Sequence, residues 1–290
     1  MYRKYLDTIR PADLTNLFFI GLFTLLTLFF YDSIESPDRL LITYFSLMLL
    51  QVLLIKLNPS GGLTGLFRDV IFPVISIFLV FDTMTELIPG INPHDIDYIL
   101  IRMDFTLFGT YPTVWLERFN SPVLTDILQI SYTSYYFLPI ILGIVLKLKG
   151  RNKEFDTGLF FILLCFYLSY VGYILFPALG PRYVIDHLQT KPLEGNALSE
   201  WIYNTLNRIE GIKRDAFPSG HTAITLTVLH MAYRYEKRVL WIFLPPAIML
   251  IIATVYCRYH YVVDVIGGVI LYVITLILGN YILSKSTYKS

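Results

Sequence analysis

The chain has 290 residues, of which 55% are hydrophobic and only 16% charged, with a mean hydropathy of +0.59 and a net charge of +1. So little charge excludes an ordinary soluble domain and places the chain in the membrane class. The near-neutral balance offers no electrostatic footprint for a nucleic-acid partner.

A helix that crosses a bilayer needs about 20 apolar residues. Eight stretches qualify, at approximately 13–32, 39–57, 69–88, 122–147, 156–176, 218–234, 238–257 and 261–284. The fold expected is all-α, a polytopic helical bundle of about eight spans forming a single membrane domain over 1–290. The basic start Arg3-Lys4 resembles a signal peptide, but the apolar run behind it is long and no small-residue cleavage site follows, so an uncleaved first span is expected. Cys165 and Cys257 lie in or at the ends of apolar stretches and read as small buried hydrophobes, not as a disulfide framework or a metal pattern. His230, within the sixth stretch, reads as a satisfied bundle residue.

Loop charge sets the expected orientation. If all eight stretches cross from a cytoplasmic N-terminus, 14 of the 23 Lys and Arg fall on the cytoplasmic side, among them Arg3, Lys4, Arg10, Lys147, Lys149 and Lys289. Most lie in short loops near span ends, where the positive-inside rule applies. Both termini are then cytoplasmic, and two long connections, about 89–121 and 177–217, lie on the opposite side, periplasmic, extracellular or lumenal. In the first of these, apolar residues at Ile96, Ile99, Leu100, Met103 and Leu107 follow helical spacing, with Asp97, Arg102 and Asp104 on other faces. An interfacial amphipathic helix within 95–118 is expected, either guiding lipid or packing on the bundle.

Three motifs in the second half point to chemistry. His260 and Asp264 stand four apart at the start of an apolar helix, so their side chains share a face. A carboxylate there accepts from one ring nitrogen and leaves the other with an outward lone pair, as a nucleophilic imidazole requires. Asp215-Ala216-Phe217-Pro218-Ser219-Gly220-His221-Thr222 precedes another apolar run. Asp215 is expected at or near the N-cap with Pro218 in the first turn, and Ser219 and Gly220 leave backbone N–H groups open to an anion. His221 then stands beside the anion as a proton donor. Gly180-Pro181-Arg182 ends the fifth stretch, where a guanidinium grips phosphate in bidentate fashion or anchors the span end; Arg258 has the same two readings. Under the expected topology all of these meet on one face, supplying nucleophile, general acid and charge stabilisation for a phosphoryl group without a metal.

The order Gly-Pro-Arg-Tyr, Phe-Pro-Ser-Gly-His-Thr, His-Tyr-Val-Val-Asp, over about 170–270, resembles the type 2 phosphatidic acid phosphatase superfamily. The resemblance implies a six-helix catalytic core with extra N-terminal helices and no cofactor. It also implies a phosphohistidine on His260 oriented by Asp264, with His221 protonating the leaving group. Ser219 and Gly220 would bind phosphate oxygens, and Arg182 would be the first-motif arginine. The chain departs from the phosphatase pattern in having Leu175 in place of the first-motif lysine and Tyr183 after Arg182. It also has Thr254 where the third motif carries an arginine, for which Arg258 is a candidate substitute. His-Tyr-x-x-Asp is similar to the inositol phosphorylceramide and sphingomyelin synthase branch. The readings left open are a lipid phosphate or pyrophosphate phosphatase, a lipid head-group phosphotransferase with an alcohol acceptor, and a non-enzymatic transporter or anionic-lipid-binding protein. In each the partner is a membrane lipid phosphate or phospholipid.

Overall fold

The computed structural model describes residues 9–59, 61–193, 195–196, 201–202, 205 and 213–285. Arg3, Lys4 and Lys289, used above for the charge bias, lie outside them. The described residues form helices joined by turns. The long helices are α1 (Pro11–Phe29), α2 (Pro37–Leu57), α3 (Gly62–Ile91, with a π turn at Phe67–Ile71), α4 (Asp97–Phe108), α5 (Pro122–Leu148), α6 (Asn152–Leu175), α7 (Gly220–Tyr235), α8 (Lys237–Tyr256) and α9 (Val262–Lys285). Proline opens α1, α2 and α5 in the first turn, where its missing N–H costs nothing.

Seven of these helices are long and apolar enough to cross a membrane, and the protein is an integral, multi-pass bundle. The eighth expected span, 218–234, is α7, whose 16 residues reach only about 24 Å at 1.5 Å per residue. It is shorter than a hydrocarbon core of about 30 Å because it sits inside the protein: α5, α6, α8 and α9 all pack on it. Its polar first turn therefore meets side chains and not lipid. α6 is the other central element, touched by α1, α3, α5, α7 and α9.

The helices α1–α3 lean on α6 through a buried polar chain. Arg10 is buried with Asp13 at 2.8 Å and Asp69 at 2.6 Å, and Asp156 stands at 3.4 Å. Gln51 donates to Asp13, Asn16 donates to Gln51, and Ser76 and Tyr167 both donate to Asn16. Arg10, expected as a loop charge, is thus an internal tie: with three carboxylates around it, its desolvation is compensated. His230 pairs with the Tyr272 hydroxyl at 3.0 Å, a satisfied residue within the bundle.

The helix expected within 95–118 runs from Asp97 to Phe108 and stops at Gly109 in the left-handed conformation; short turns follow at Pro112–Trp115 and Leu116–Phe119. Asp97, Leu100 and Asp104 form its buried stripe, while Tyr98, Ile99, Met103 and Phe105 face outward. Two carboxylates on the buried side invert the expected pattern, and the reason lies in the backbone groups they meet at the site.

Candidate active site

Ser219 caps α7: its hydroxyl accepts from Thr222 N at 3.3 Å and from the Thr222 hydroxyl at 3.1 Å. Asp215, expected as the cap, lies four residues earlier, and Pro218 precedes the helix instead of occupying its first turn. The cis peptide Phe217-Pro218 leads into it. The Ser219 N–H, expected to stay open to an anion, donates instead to the Asp264 carbonyl at 2.9 Å, which locks the start of α7 to the first turn of α9. Gly220 packs against the Tyr173 hydroxyl, and a Cβ there would force that side chain to shift.

α7 and the α8–α9 turn bring His221 and His260 together, with His221 Nδ1 3.3 Å from His260 Nε2. The other nitrogen of His260 points at two acceptors, the Ala216 carbonyl at 2.8 Å and Asp264 Oδ2 at 3.4 Å. A carbonyl can only accept, so Nδ1 carries the proton and Nε2 holds the lone pair. His221 must then donate from Nδ1 to that lone pair. The sequence pattern assigns the orienting role to Asp264; in the structure the closer acceptor is the Ala216 carbonyl, because Asp264 Oδ2 also accepts from Tyr261 N at 2.8 Å. Burial pushes the His260 imidazole down to about 4, against Asp215 and the Ala216 carbonyl, which favour protonation; the charge of Arg182 adds to the fall. At neutral pH its Nε2 is unprotonated.

His221 is clasped by aromatic rings from α5: Tyr132 stacks on it at 4.5 Å and Tyr135 lies at 4.3 Å. Tyr132 also stacks on Tyr259 at 4.5 Å, and the Arg182 guanidinium lies 4.8 Å from the rings of both Tyr259 and Tyr183. Arg182 is aimed by Gly180, whose φ of +89° is open to glycine and whose absent Cβ lets the Tyr259 carbonyl approach. The Arg182 backbone N–H donates to the Arg258 carbonyl at 3.1 Å, so the two loops close on each other.

With this geometry in view, comparison with known proteins is decisive at the level of family. A profile of the PAP2 superfamily matches residues 99–278, more than half of the chain. The chain belongs to the PAP2 superfamily. A PA-phosphatase related-family protein of Dictyostelium discoideum is 26% identical over 185 residues, covering 57% of this chain and 34% of the relative. The match therefore spans about a third of that relative's length. No solved structure gives a significant match. Membership supports a phosphatase-type, lipid-related function, and α1–α3 lie outside the matched PAP2 region.

Arg258 is not brought to the histidines by any contact of its guanidinium. Its Nη2 donates to the Lys191 carbonyl at 2.6 Å and to Glu117 Oε1 at 3.3 Å, and Glu117 also receives the N–H and hydroxyl of Thr190. Its φ of +65° turns the chain into the His260 segment. The expected phosphate contact gives way to a loop tie, because a buried Glu117 holds the group that spacing alone leaves unassigned. Thr254, in the PAP2 arginine's place, is buried, and its carbonyl accepts from both Tyr259 N and His260 N at 3.0 and 2.9 Å.

A groove leads away from His221. Pro73, Ile77 and Phe81 of α3, Tyr135, Pro139 and Gly143 of α5, and Leu159, Phe166 and Tyr173 of α6 line it. It is partly open to the surroundings, and its lining reaches Asp215 and His221. From Phe155 to Tyr173 its α6 floor runs about 27 Å at 1.5 Å per residue. Asp215, expected only as a cap, is thus a further group of the site, and an acid two residues before Phe-Pro-Ser-Gly-His is the signal for it. Burial raises its pKa, with Arg182 and His260 opposing. Among the described residues no three His, Cys, Asp or Glu side chains converge as metal ligands.

Proposed function

We propose that this protein is a membrane lipid phosphate or pyrophosphate phosphatase acting through a phosphohistidine on His260. The observation that carries the reading is the His221–His260 pair, Nδ1 to Nε2 at 3.3 Å, at the end of a long apolar groove. A lipid lays its hydrocarbon in the groove and presents its phosphate to the histidines, replacing the bond between them. The Nε2 lone pair attacks phosphorus and the N–P bond forms as the bond to the leaving oxygen breaks; His221, entering this step as the imidazolium, gives its Nδ1 proton to that oxygen and is left neutral. Water, deprotonated by His221, then attacks phosphorus, breaking the N–P bond and regenerating His260. Arg182 neutralises the phosphoryl oxygens, with the N-terminus of α7 at Gly220 beside them and Ser219 holding that turn in place through its bond to the Asp264 carbonyl. Both termini are cytoplasmic, and the site opens to the opposite face.

A second reading, transfer of a phosphorylated head group to an alcohol in place of water, is favoured by Thr254, which removes a PAP2 phosphatase arginine. Phosphate release by the purified protein decides between them. It is measured on phosphatidic acid, phosphatidylglycerol phosphate and a polyprenyl diphosphate, without added metal and with His260→Ala as control. Release that depends on His260 supports hydrolysis. No release by folded protein, with product formed only when a phospholipid donor and an alcohol acceptor are supplied together, supports transfer.

A further inference from the structure

Helix α4 hydrogen-bonds both halves of the site. Asp104, 1% exposed, accepts from Val262 N with Oδ2 at 3.0 Å and from Val263 N with Oδ1 at 2.9 Å. These are orphan donors of the first turn of α9, so a side chain from a distant helix serves as its cap. That turn carries Asp264, whose Oδ2 receives Tyr261 N and stands against His260 Nδ1. Asp97, on the same buried stripe, accepts from Gly180 N with Oδ1 at 2.9 Å and from Leu179 N with Oδ2 at 2.8 Å, fixing the loop that aims Arg182. Its Oδ1 also receives the Tyr261 hydroxyl at 2.9 Å, and Ile96 N donates to the Pro177 carbonyl at 2.8 Å.

We infer that Asp97 and Asp104 are positioning residues of the phosphoryl-transfer site, a rigid brace that sets the Arg182 loop and the His260–Asp264 turn in register. The alternative, that α4 only packs on the bundle, is met by the apolar Leu100 between them and gives no reason to bury two carboxylates. Each burial is costly unless its lone pairs are used, and these hydrogen bonds all come from segments that carry a site residue. The brace also accounts for the tyrosine in His-Tyr-Val-Val-Asp: Tyr261 ties the nucleophile's own neighbour to α4. A brace of this kind acts through other residues, so its loss slows the chemical step without removing any group that touches substrate.

The inference rests on the proposed role of His260, and it is tested by a readout that needs no substrate. Protein with ¹⁵N-labelled histidine, in lipid nanodiscs, is compared as wild type, Asp104→Ala, Asp104→Asn and Asp97→Asn, with His260→Ala assigning the resonance. Wild-type His260 is expected as the Nδ1–H tautomer. The variants are expected to mix in the Nε2–H form, Asp104→Ala most, since the side-chain amide oxygen introduced by Asp104→Asn still accepts one N–H. On whichever lipid the wild type turns over, kcat falls on the order of 10–100-fold for Asp104→Ala and less for Asp104→Asn, with KM nearly unchanged. Should Asp104→Ala not fold, the two Asn variants decide. An unchanged tautomer and unchanged kcat in folded variants overturn the brace, as does a loss of kcat that merely follows a lowered Tm with Asn no better than Ala. A wild type with the Nδ1–H tautomer that turns over no lipid, and whose tautomer shifts in the variants, instead overturns the proposed activity and leaves the brace standing.

Discussion

Tyr132 stacks on His221 with ring centroids 4.5 Å apart and an interplanar angle of 29°, and the same ring stacks on Tyr259 at 4.5 Å. Through Tyr259 the stack continues to the Arg182 guanidinium, so one side chain of α5 holds both the proton donor and the phosphate-binding cation of the proposed reaction. Tyr132→Ala is expected to lower kcat/KM on the order of 10–100-fold, the range for groups that position a reacting residue. Tyr132→Phe, which keeps the ring, is expected to retain most activity. Equal losses in the two would show that the hydroxyl and not the stack matters.

Removing the proposed reacting groups has a sharper outcome. His260→Ala is expected to abolish turnover and His221→Ala to lower kcat on the order of 10²–10⁴-fold, the usual contribution of general acid–base catalysis. Both should elute and melt like wild type. Normal turnover in both purified variants would sink the phosphoryl-transfer chemistry for hydrolysis and transfer alike.

In the proposed mechanism the depressed basicity of His260 sets the acid side of the pH profile. Its value of about 4 lies below the ordinary 6.5, so the neutral nucleophile persists well below neutrality and kcat/KM should fall only as pH approaches that range. The linkage runs the same way for stability. Between about 6.5 and 4 the unfolded chain binds a proton that folded His260 does not, so stability declines as pH falls through that window. A kcat/KM profile of the free enzyme with its acid limb at the ordinary histidine value would contradict the assignment.

The two arginines separate by consequence. Arg182→Lys removes a fork-shaped donor from the site and should cut activity strongly with little change in Tm. Arg258→Met leaves the buried Glu117 without its cation and should lower Tm, with kcat in the folded fraction close to wild type. Thermal melting alongside initial rates distinguishes them, and the reverse pattern would return Arg258 to the phosphate.

If the groove holds the lipid chain, Ile140→Trp, which fills it away from the histidines, should raise KM for long-chain substrates several-fold. A soluble short-chain phosphate ester should be unaffected. Equal effects on both substrates would place the hydrocarbon elsewhere.

How much of this is legible in the sequence follows the range of each interaction. The membrane class, the bundle and the family follow from composition, apolar run length and three short motifs, all local properties of the chain. His221, His260 and Asp264 can be named because an i, i+4 pair and a cap motif have local geometry. Run length finds the helices but not their surroundings: it does not distinguish a span that faces lipid from α7, which faces four neighbouring helices.

The tertiary structure alone decided the partners. Ala216 reaches His260 across 44 residues, Glu117 reaches Arg258 across 141, and Asp104 reaches Val262 across 158. No periodicity in the sequence encodes such distances. A carboxylate on an amphipathic helix reads as solvent-facing until the fold supplies the backbone donors that make its burial favourable. Composition and local spacing thus determined what this protein is made to sit in and which histidines it presents; the packing of α4, α5 and the loops around them decided how those histidines are held.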